Sequence, residues 1–214
     1  MDHIYIGMFS LKKSISEVWD HNLLETGDEN STVIYCDMDG VLADFETGFK
    51  QISGGQTAPE YEKVHGEQTI WPLIHAQPNG GIDWWASLPK MENADELWKF
   101  LNQLRLPIKI LSSTSSRASN SNAGDIGKRK WLLTHLSPAP SDENIILVDS
   151  AGAKKTYAKG PEHILIDDYP KNISQWRAAG GTGIHHTSVP DTINQIKKVL
   201  GIQSESYGYS WSNR

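Results

Sequence analysis

The stretch VIYCDMDGVLADFE, residues 33–46, places three acidic residues directly after a short apolar run. Asp is unfavourable in strands, and like charges two residues apart on a strand point to the same face and repel each other. A simple turn needs one Asp or Asn and a Gly, whereas this segment contains Asp37, Asp39 and Asp44. The cluster makes physical sense if a cation lies between the charges, so this segment is the first candidate site.

The composition is typical of a soluble globular protein of one domain, or of a domain with an insertion. The chain has 214 residues, of which 38% are hydrophobic and 21% charged. Its net charge of −6 disfavours a long nucleic-acid groove. Cys36 is the single cysteine, which excludes an internal disulfide and favours a reducing compartment. No apolar stretch approaches the ~18 residues that span a bilayer, so we expect a cytoplasmic protein without a membrane partner.

Short apolar runs recur along the chain, and polar or acidic residues follow each of them. These runs are nearly continuous in hydrophobicity rather than alternating, as expected for strands that are buried on both faces of a parallel sheet. The four clear runs are TVIYC (32–36), PIKIL (107–111), NIILV (144–148) and HILI (163–166), and a weaker fifth is TGIHH (182–186).

Amphipathic helix patterns lie between these runs, at 93–105, 125–136, 171–181 and 191–201. In the last of them, Asp191 is the expected N-cap and Gly201 the expected stop. Strands that alternate with helices predict an α/β fold with a parallel sheet.

Three segments do not fit the alternation. Residues 1–30 are interpreted as an N-terminal extension that contains one amphipathic helix, and residues 202–214 as a flexible tail. Residues 46–90 are far longer than an ordinary loop between a strand and a helix, and are rich in Trp, Pro and Gly. We interpret 46–90 as a cap inserted over the active edge of a core domain formed by 31–45 and 91–201.

Polar residues follow each of the four clear strands, and ligands in open parallel sheets bind at the carboxyl ends of the strands. We therefore expect these residues to converge at one edge of the sheet. They are Asp37 and Asp39 after the first strand, Ser112 and Ser113 with the second, Lys154 and Lys155 after the third, and Asp167 and Asp168 after the fourth.

This set of side chains suits phosphoryl transfer. Clustered Asp oxygens suit a hard cation such as Mg2+, and hydroxyls with a lysine suit phosphoryl oxygens. The cation neutralises the carboxylates and the phosphate, so that one Asp can attack a dianion it would otherwise repel. A second Asp can then protonate the leaving oxygen and later activate water.

These motifs resemble the haloacid dehalogenase (HAD) superfamily of phosphotransferases. DMDGVLADF is similar to its first motif, ILSS to its second, the lysine to its third, and IDD to its fourth. The resemblance implies a Rossmann-like, HAD-like parallel sheet with a small helical cap inserted after the first strand. In this superfamily, an Asp two residues after the nucleophile accompanies phosphatase chemistry.

Several segments are also similar to the 5'(3')-deoxyribonucleotidase family, among them DMDGVLADFE and GKRKWLLTHL. That resemblance makes Asp37 the nucleophile and Asp39 the acid/base. It implies that Asp37, the main-chain carbonyl of Asp39 and Asp168 hold Mg2+, with Asp167 in support.

The same resemblance assigns phosphate and substrate contacts. We prefer Ser112 as the motif hydroxyl, with Ser113 beside it, and Lys155 over Lys154 as the phosphate lysine because Thr156 follows it. The remaining assignments are Lys128 as a second phosphate contact, and Phe45 and Trp71 as aromatic walls for a base.

Three functions remain open. The leading one is a Mg2+-dependent phosphoric monoester hydrolase of the nucleotidase type, which acts on (deoxy)ribonucleoside monophosphates through an aspartyl-phosphate. The second is a phosphatase for 3'-phosphate ends of nucleic acid or for another small phosphomonoester. The third is a non-catalytic relic of the fold that binds a nucleotide or a protein. We expect a small nucleotide as the partner and no long nucleic acid, and a homodimer is among the open assemblies.

Overall fold

A five-stranded sheet forms the centre of the molecule in the computed structural model, which describes residues 31–114 and 121–202. The strand order is β3-β2-β1-β4-β5, and all neighbouring strands are parallel. The strands are β1 (Val33–Cys36), β2 (Ile108–Ser113), β3 (Ile145–Val148), β4 (His163–Asp167) and β5 (Thr182–His185). The five predicted strands are therefore confirmed, including the weak one.

Strand β1 is the central strand, and its register sets the edge at which the candidate residues meet. Ile34 lies opposite Ile108 of β2 and opposite Ile164 of β4. The backbone N–H of Asp37 still donates to the carbonyl of Ile166, 2.9 Å away, so the chain remains paired to β4 just past β1. The carboxyl ends of β1, β2 and β4 consequently lie side by side.

Helices cover both faces of the sheet, since residues of β1 alternate between two hydrophobic clusters. Ile34 and Cys36 belong to a large cluster, whereas Tyr35 belongs to a smaller one around Trp176. The helices are α1 (Phe45–Ile52), α2 (Ala58–His65), α3 (Ile70–His75), α4 (Ile82–Ala86), α5 (Ala94–Gln103), α6 (Ala123–His135), α7 (Pro170–Ala178) and α8 (Val189–Val199). Helices α5, α6 and α8 contribute to the large cluster and α7 to the small one, which gives a doubly wound α/β architecture.

Helix α8 begins earlier than predicted, and Asp191 is not its N-cap. The N-cap is Ser188, whose hydroxyl accepts a hydrogen bond from the backbone N–H of Asp191. Val189 and Pro190 form the start of the helix, where a proline is tolerated because the first N–H groups have no partner within the helix. The prediction took the first acidic residue as the cap, although a serine and a proline already supply that signal.

Four helices, α1 to α4, and a short 3-10 segment (Pro78–Gly81) fill the long connection between β1 and α5. Tryptophan side chains join α1 to α4 within this helical insertion and attach the insertion to the core helix α6. The indole N–H of Trp84 donates to the carbonyl of Gly48 at 3.1 Å, and that of Trp131 in α6 donates to the carbonyl of Leu88 at 2.7 Å. The described residues from 32 onward form one compact unit, so the boundary of a separate cap at 46–90 stays a prediction.

Two other predictions fall partly or wholly outside the described residues. The proposed extension 1–30 lies outside them, and so does the proposed tail beyond Ile202. Within 31–114 and 121–202, every helix is too short or too polar to cross a bilayer.

Candidate active site

Asp37 lies at the end of β1 and is held on both sides of its carboxylate. Its Oδ1 accepts a hydrogen bond from the backbone N–H of Met38 at 2.7 Å, and its Oδ2 lies 2.6 Å from the ammonium of Lys154. The residue is 5% exposed. A carboxylate so fixed has little rotational freedom, which suits a group that must meet a reacting atom from one direction.

Lys154 joins two strand ends through one buried ammonium group. It lies in a 3-10 segment after β3 (Ala151–Tyr157), its side chain is 3% exposed, and it is 2.7 Å from Oδ2 of Asp167. Asp167 also accepts from the side-chain amide of Asn172, at 3.0 Å to each oxygen, and from the backbone N–H of Tyr169 at 2.9 Å. Burial and then the charge of Asp37 raise the pKa of Asp167 to about 6, against the opposing effect of Lys154.

Asp168 completes a group of three carboxylates at this edge. Ligand oxygens from Asp37, Asp167 and Asp168 all lie within 4.8 Å of one another. Desolvation and then the neighbouring charges of Asp37 and Asp167 raise the pKa of Asp168 to about 7. Asp168 is itself exposed, so solvent weakens this shift, and positive charge that enters the group would favour the ionised form of its carboxyl.

A glycine in the turn after β1 allows the Asp168 carboxylate to approach the backbone closely. Gly40 has φ = +73°, and a Cβ there would lie 2.1 Å from Oδ2 of Asp168. The turn after β1 thus needs glycine both for its backbone conformation and for the close approach of this carboxylate.

Asp39 is held by Lys128, which projects from α6 and has a fully buried side chain. The Lys128 ammonium donates to Oδ2 of Asp39, to the hydroxyl of Ser112 at 3.1 Å and to the main-chain carbonyl of Ser113 at 2.5 Å. Among the described residues, Oδ1 of Asp39 is buried and has no hydrogen-bond partner. Burial raises the pKa of Asp39, although the charge of Lys128 opposes that shift.

The charges of the site suit a divalent cation. Four carboxylates, from Asp37, Asp39, Asp167 and Asp168, face two ammonium groups, from Lys128 and Lys154. Among the described residues, two negative charges are left over when all four carboxylates are ionised, and carboxylate oxygens are the ligands that Mg2+ takes in proteins. The raised pKa of Asp168 is a second sign that the cluster lacks positive charge. The residues present therefore fit a bound Mg2+.

Most of the predicted site residues do meet, with one exchange between neighbours. The structure places Lys154 in the cluster, whereas the preferred Lys155 is exposed. Successive residues of a 3-10 helix point about 120° apart, so only one of two adjacent lysines can face the carboxylates. The residues that the structure brings together as expected are Asp37, Asp39, Ser112, Ser113, Lys128, Asp167 and Asp168.

Asp44, the third acid of the opening motif, does not join this cluster. It is the N-cap of α1, and its Oδ1 accepts from the backbone N–H of Thr47 at 2.9 Å. A helix cap thus accounts for this carboxylate, and the three carboxylates that could hold a cation are those of Asp37, Asp167 and Asp168 instead.

The two predicted aromatic walls have packing partners in the insertion. Phe45 lies with its ring centroid 5.5 to 6.0 Å from those of Phe49, Trp84 and Trp85. Trp71 is half-buried and packs against the large hydrophobic cluster. Contact of Phe45 or Trp71 with a base stays a prediction.

Sequence reasoning missed two residues of the site. Asn172 binds both oxygens of Asp167, and the ring of Trp85 lies under the Lys128 ammonium, 4.6 Å from its centroid. Asn172 lies in the first turn of α7, which begins shortly after the Asp pair, and this closeness in sequence could have drawn attention to it. Trp85 is distant in sequence from the other site residues and had no such signal.

Comparisons with known proteins give a fold but no family. No protein-family model matches the chain, and no curated protein matches it. Among solved structures, a haloacid dehalogenase-like hydrolase from Streptococcus pneumoniae is similar, with a TM-score of 0.51 and 15% identity, over 81% of this chain and 99% of that one. The chain has the haloacid dehalogenase-like fold.

Two other solved structures are similar at a lower score. A HAD-superfamily hydrolase from Ehrlichia chaffeensis has a TM-score of 0.47 and 16% identity, over 79% of this chain and 98% of that one. A HAD family hydrolase from Deinococcus radiodurans, solved with bound phosphate and sodium, has a TM-score of 0.48 and 15% identity, over 81% and 96%. The similarity to the Streptococcus pneumoniae structure confirms the predicted haloacid dehalogenase-like fold, and the closer resemblance to 5'(3')-deoxyribonucleotidases stays a prediction.

Proposed function

We propose that the protein is a Mg2+-dependent phosphatase that moves the phosphoryl group of a phosphomonoester first to Asp37 and then to water. The observation that carries this proposal is the pairing of two differently held carboxylates at one strand end. Asp37 is fixed by Lys154 and a backbone N–H, while Asp39 keeps one oxygen without a partner in the described part of the chain. One suits a nucleophile and the other an acid/base.

In the first step, a carboxylate oxygen of Asp37 bonds to phosphorus while the bond from phosphorus to the ester oxygen breaks. Asp39 donates its proton to that departing oxygen, and the alcohol leaves. The raised pKa of Asp39 favours the protonated form that this step needs. The product on the protein is an aspartyl-phosphate.

In the second step, Asp39 takes a proton from a water molecule, whose oxygen bonds to phosphorus. The bond between phosphorus and Asp37 breaks, and inorganic phosphate leaves with Asp37 ionised and Asp39 protonated as at the start. One residue serves as acid and then as base, which requires a pKa near the working pH rather than at the ordinary value for Asp.

Ser112 and Lys154 are the proposed phosphate contacts. Ser112 accepts a hydrogen bond from Lys128, so its own hydroxyl proton can point to a phosphoryl oxygen. Lys154 donates to two carboxylates and has three N–H bonds, so one donor can serve the phosphate. Ser113 lies beside them, and its main-chain carbonyl accepts a hydrogen bond from Lys128.

The carboxylates of Asp37 and Asp168 and the main-chain carbonyl of Asp39 would hold Mg2+, with Asp167 in support. Bound there, Mg2+ would neutralise charge so that a carboxylate can approach a phosphate dianion. Asp167 acts on the site through Lys154, whose position it fixes.

A substitution at Gly40 tests the place of Asp168. We expect G40A to weaken the apparent affinity for Mg2+ by about 10–100-fold, because the new methyl group would displace the Asp168 carboxylate. The matched control is G54A, since Gly54 has φ = +72° and nothing within 4 Å of a built Cβ. Both variants carry the same kind of backbone strain, roughly 1–2 kcal/mol, so a difference between them reports the contact with Asp168. Equal Mg2+ affinities of G40A and G54A in a titration would contradict a role of Asp168 in holding Mg2+.

The pKa of Asp168 predicts how Mg2+ stabilisation depends on pH. Its raised pKa means that the metal-free folded protein holds protons that the unfolded chain has lost, so stability falls as pH rises toward about 7. Mg2+ needs the ionised carboxylate and should therefore raise the melting temperature more above about pH 7 than below it. Melting curves with and without Mg2+ measure this, and D168N should remove most of the difference. A Mg2+ effect that is independent of pH would contradict it.

We infer a nucleoside monophosphate as the substrate, in line with the resemblance to 5'(3')-deoxyribonucleotidases. Phe45 comes directly after the motif that contains Asp37 and Asp39, and it packs with other aromatic rings. Aromatic faces are suited to stacking on a base. A dehalogenase is less well supported, because an Asp two residues after the nucleophile goes with phosphatase chemistry in the superfamily that this chain resembles. A cytoplasmic location and a homodimer remain predictions of the sequence.

A phosphate-release panel tests the function. The substrates assayed for phosphate release are deoxyribonucleoside and ribonucleoside monophosphates, oligonucleotides with 3'-phosphate ends and sugar phosphates, and a haloacid is assayed for halide release, each with Mg2+ and with a chelator. We expect Mg2+-dependent release that is fastest with mononucleotides. Faster release from 3'-phosphate ends or sugar phosphates would select the second function, and binding without release would support a non-catalytic protein.

A further inference from the structure

We propose that Lys128 is a positioning residue for the acid/base Asp39 and not a ligand of the phosphate. This inference rests on the proposed function and assigns a role within the same site. It departs from the family resemblance, which places Lys128 among the phosphate contacts.

The hydrogen bonds of Lys128 leave its ammonium without a donor for the substrate. An ammonium has three N–H bonds, and Lys128 has three acceptors: Oδ2 of Asp39, the Ser112 hydroxyl and the Ser113 carbonyl. A phosphate contact would require one of these bonds to break. Lys154, by contrast, has only two carboxylate partners among the described residues.

The surroundings of Lys128 hold the ammonium in place. Its side chain is fully buried, and the ring of Trp85 lies against the ammonium, 4.6 Å from Nζ to the ring centroid. Helix α6 approaches the insertion so closely at Gly127 that a Cβ there would lie 2.3 Å from Cβ of Trp85. The neighbouring Lys128 side chain therefore has little room to move toward a substrate. Trp85 of the insertion packs against one side of its ammonium group.

The consequence for Asp39 is that its two oxygens have different environments. Oδ2 is bound to Lys128, and buried Oδ1 has no protein partner in the described part of the chain. Lys128 thus determines which oxygen carries the proton to the departing ester oxygen. Substitution of Lys128 should therefore slow mainly the reactions in which the departing ester oxygen must receive that proton.

The dependence on the leaving group separates a positioning role from phosphate binding. A nucleoside or alkyl alcohol leaves only with a proton, whereas p-nitrophenolate leaves without one. We expect K128M to lower kcat/KM about 10²–10³-fold for a nucleoside monophosphate and less than about tenfold for p-nitrophenyl phosphate. This parameter reports the steps up to loss of the alcohol, so the later attack of water does not enter it.

The matched control is K130M, since Lys130 is an exposed lysine two residues further along α6. We expect K130M to leave both substrates unchanged. K128M should also cause little further loss when added to D39N, because both changes disable the same proton donor. If K128M does not fold, K128Q serves instead, since the glutamine amide keeps a donor for Asp39. K128Q should lose less kcat/KM than K128M, and again more for the nucleoside monophosphate than for p-nitrophenyl phosphate.

Two results would overturn the assignment. Equal losses for both substrates, together with weaker inhibition by inorganic phosphate, would make Lys128 a phosphate ligand. If the fold-loss in kcat/KM of the K128M/D39N double variant equals the product of the two single-variant losses, Lys128 acts independently of Asp39. An inactive wild-type protein would instead refute the proposed function, and that result is visible before any Lys128 variant is made.

Discussion

D37N is expected to reduce phosphate release by roughly 10⁴-fold or more, because the amide cannot accept a phosphoryl group and the covalent route is closed. The variant keeps the shape of the side chain, and its new amide would face the Lys154 ammonium at the position that Oδ2 now holds. Steady-state release of phosphate, with melting curves to show that the variant is folded, measures the effect.

The matched control for D37N lies in the same motif. D44N changes the same functional group seven residues later, at the N-cap of α1, where Asn and Asp are equally effective caps. We expect D44N to retain activity and stability close to those of the wild type. Comparable activity in D37N and D44N would rule out Asp37 as the nucleophile.

K154M is expected to lower kcat/KM by about 10²–10³-fold, the usual effect of removing one donor from a developing charge. It also leaves the buried carboxylates of Asp37 and Asp167 without their shared partner. Breaking a buried ion pair costs about 3–5 kcal/mol, so the kinetics should be measured well below the melting temperature of the variant.

The adjacent lysine is a direct control for K154M. Lys155 is exposed, and we expect K155M to change kcat/KM by less than about twofold, as for an ordinary surface position. The opposite order, with K155M inactive and K154M active, would show that the sequence-based preference for Lys155 was right and that the ion pair with Asp37 has no role in turnover.

The sheet could be predicted from the sequence because its strands are buried on both faces. Continuous apolar runs such as TVIYC and NIILV have few other stable locations, and the ends of parallel strands meet at one edge by geometry alone. The convergence of Asp37, Ser112 and Asp167 follows from that rule. The helices of the core could be found for a similar reason, since their apolar residues recur with the helical period.

Side-chain direction and tertiary contacts could not be predicted in the same way. Lys154 and Lys155 are neighbours in sequence, and only the 3-10 geometry decides which of them turns inward. Asp44 looked like a third member of the cluster, but local capping of α1 takes its carboxylate. Trp85 reaches Lys128 only because α4 docks on α6, a contact between segments far apart in the chain.

The central claim, that Asp37 accepts the phosphoryl group, is tested most directly by trapping the intermediate in the D39N protein with p-nitrophenyl phosphate and Mg2+. This leaving group needs no proton, whereas attack by water needs the missing base, so the phosphorylated protein should accumulate. We expect about one p-nitrophenolate per protein molecule in a burst, and mass spectrometry of acid-quenched peptides should find one phosphoryl group on Asp37. A phosphoryl group on any other residue, or continued turnover with no adduct, would contradict the proposal.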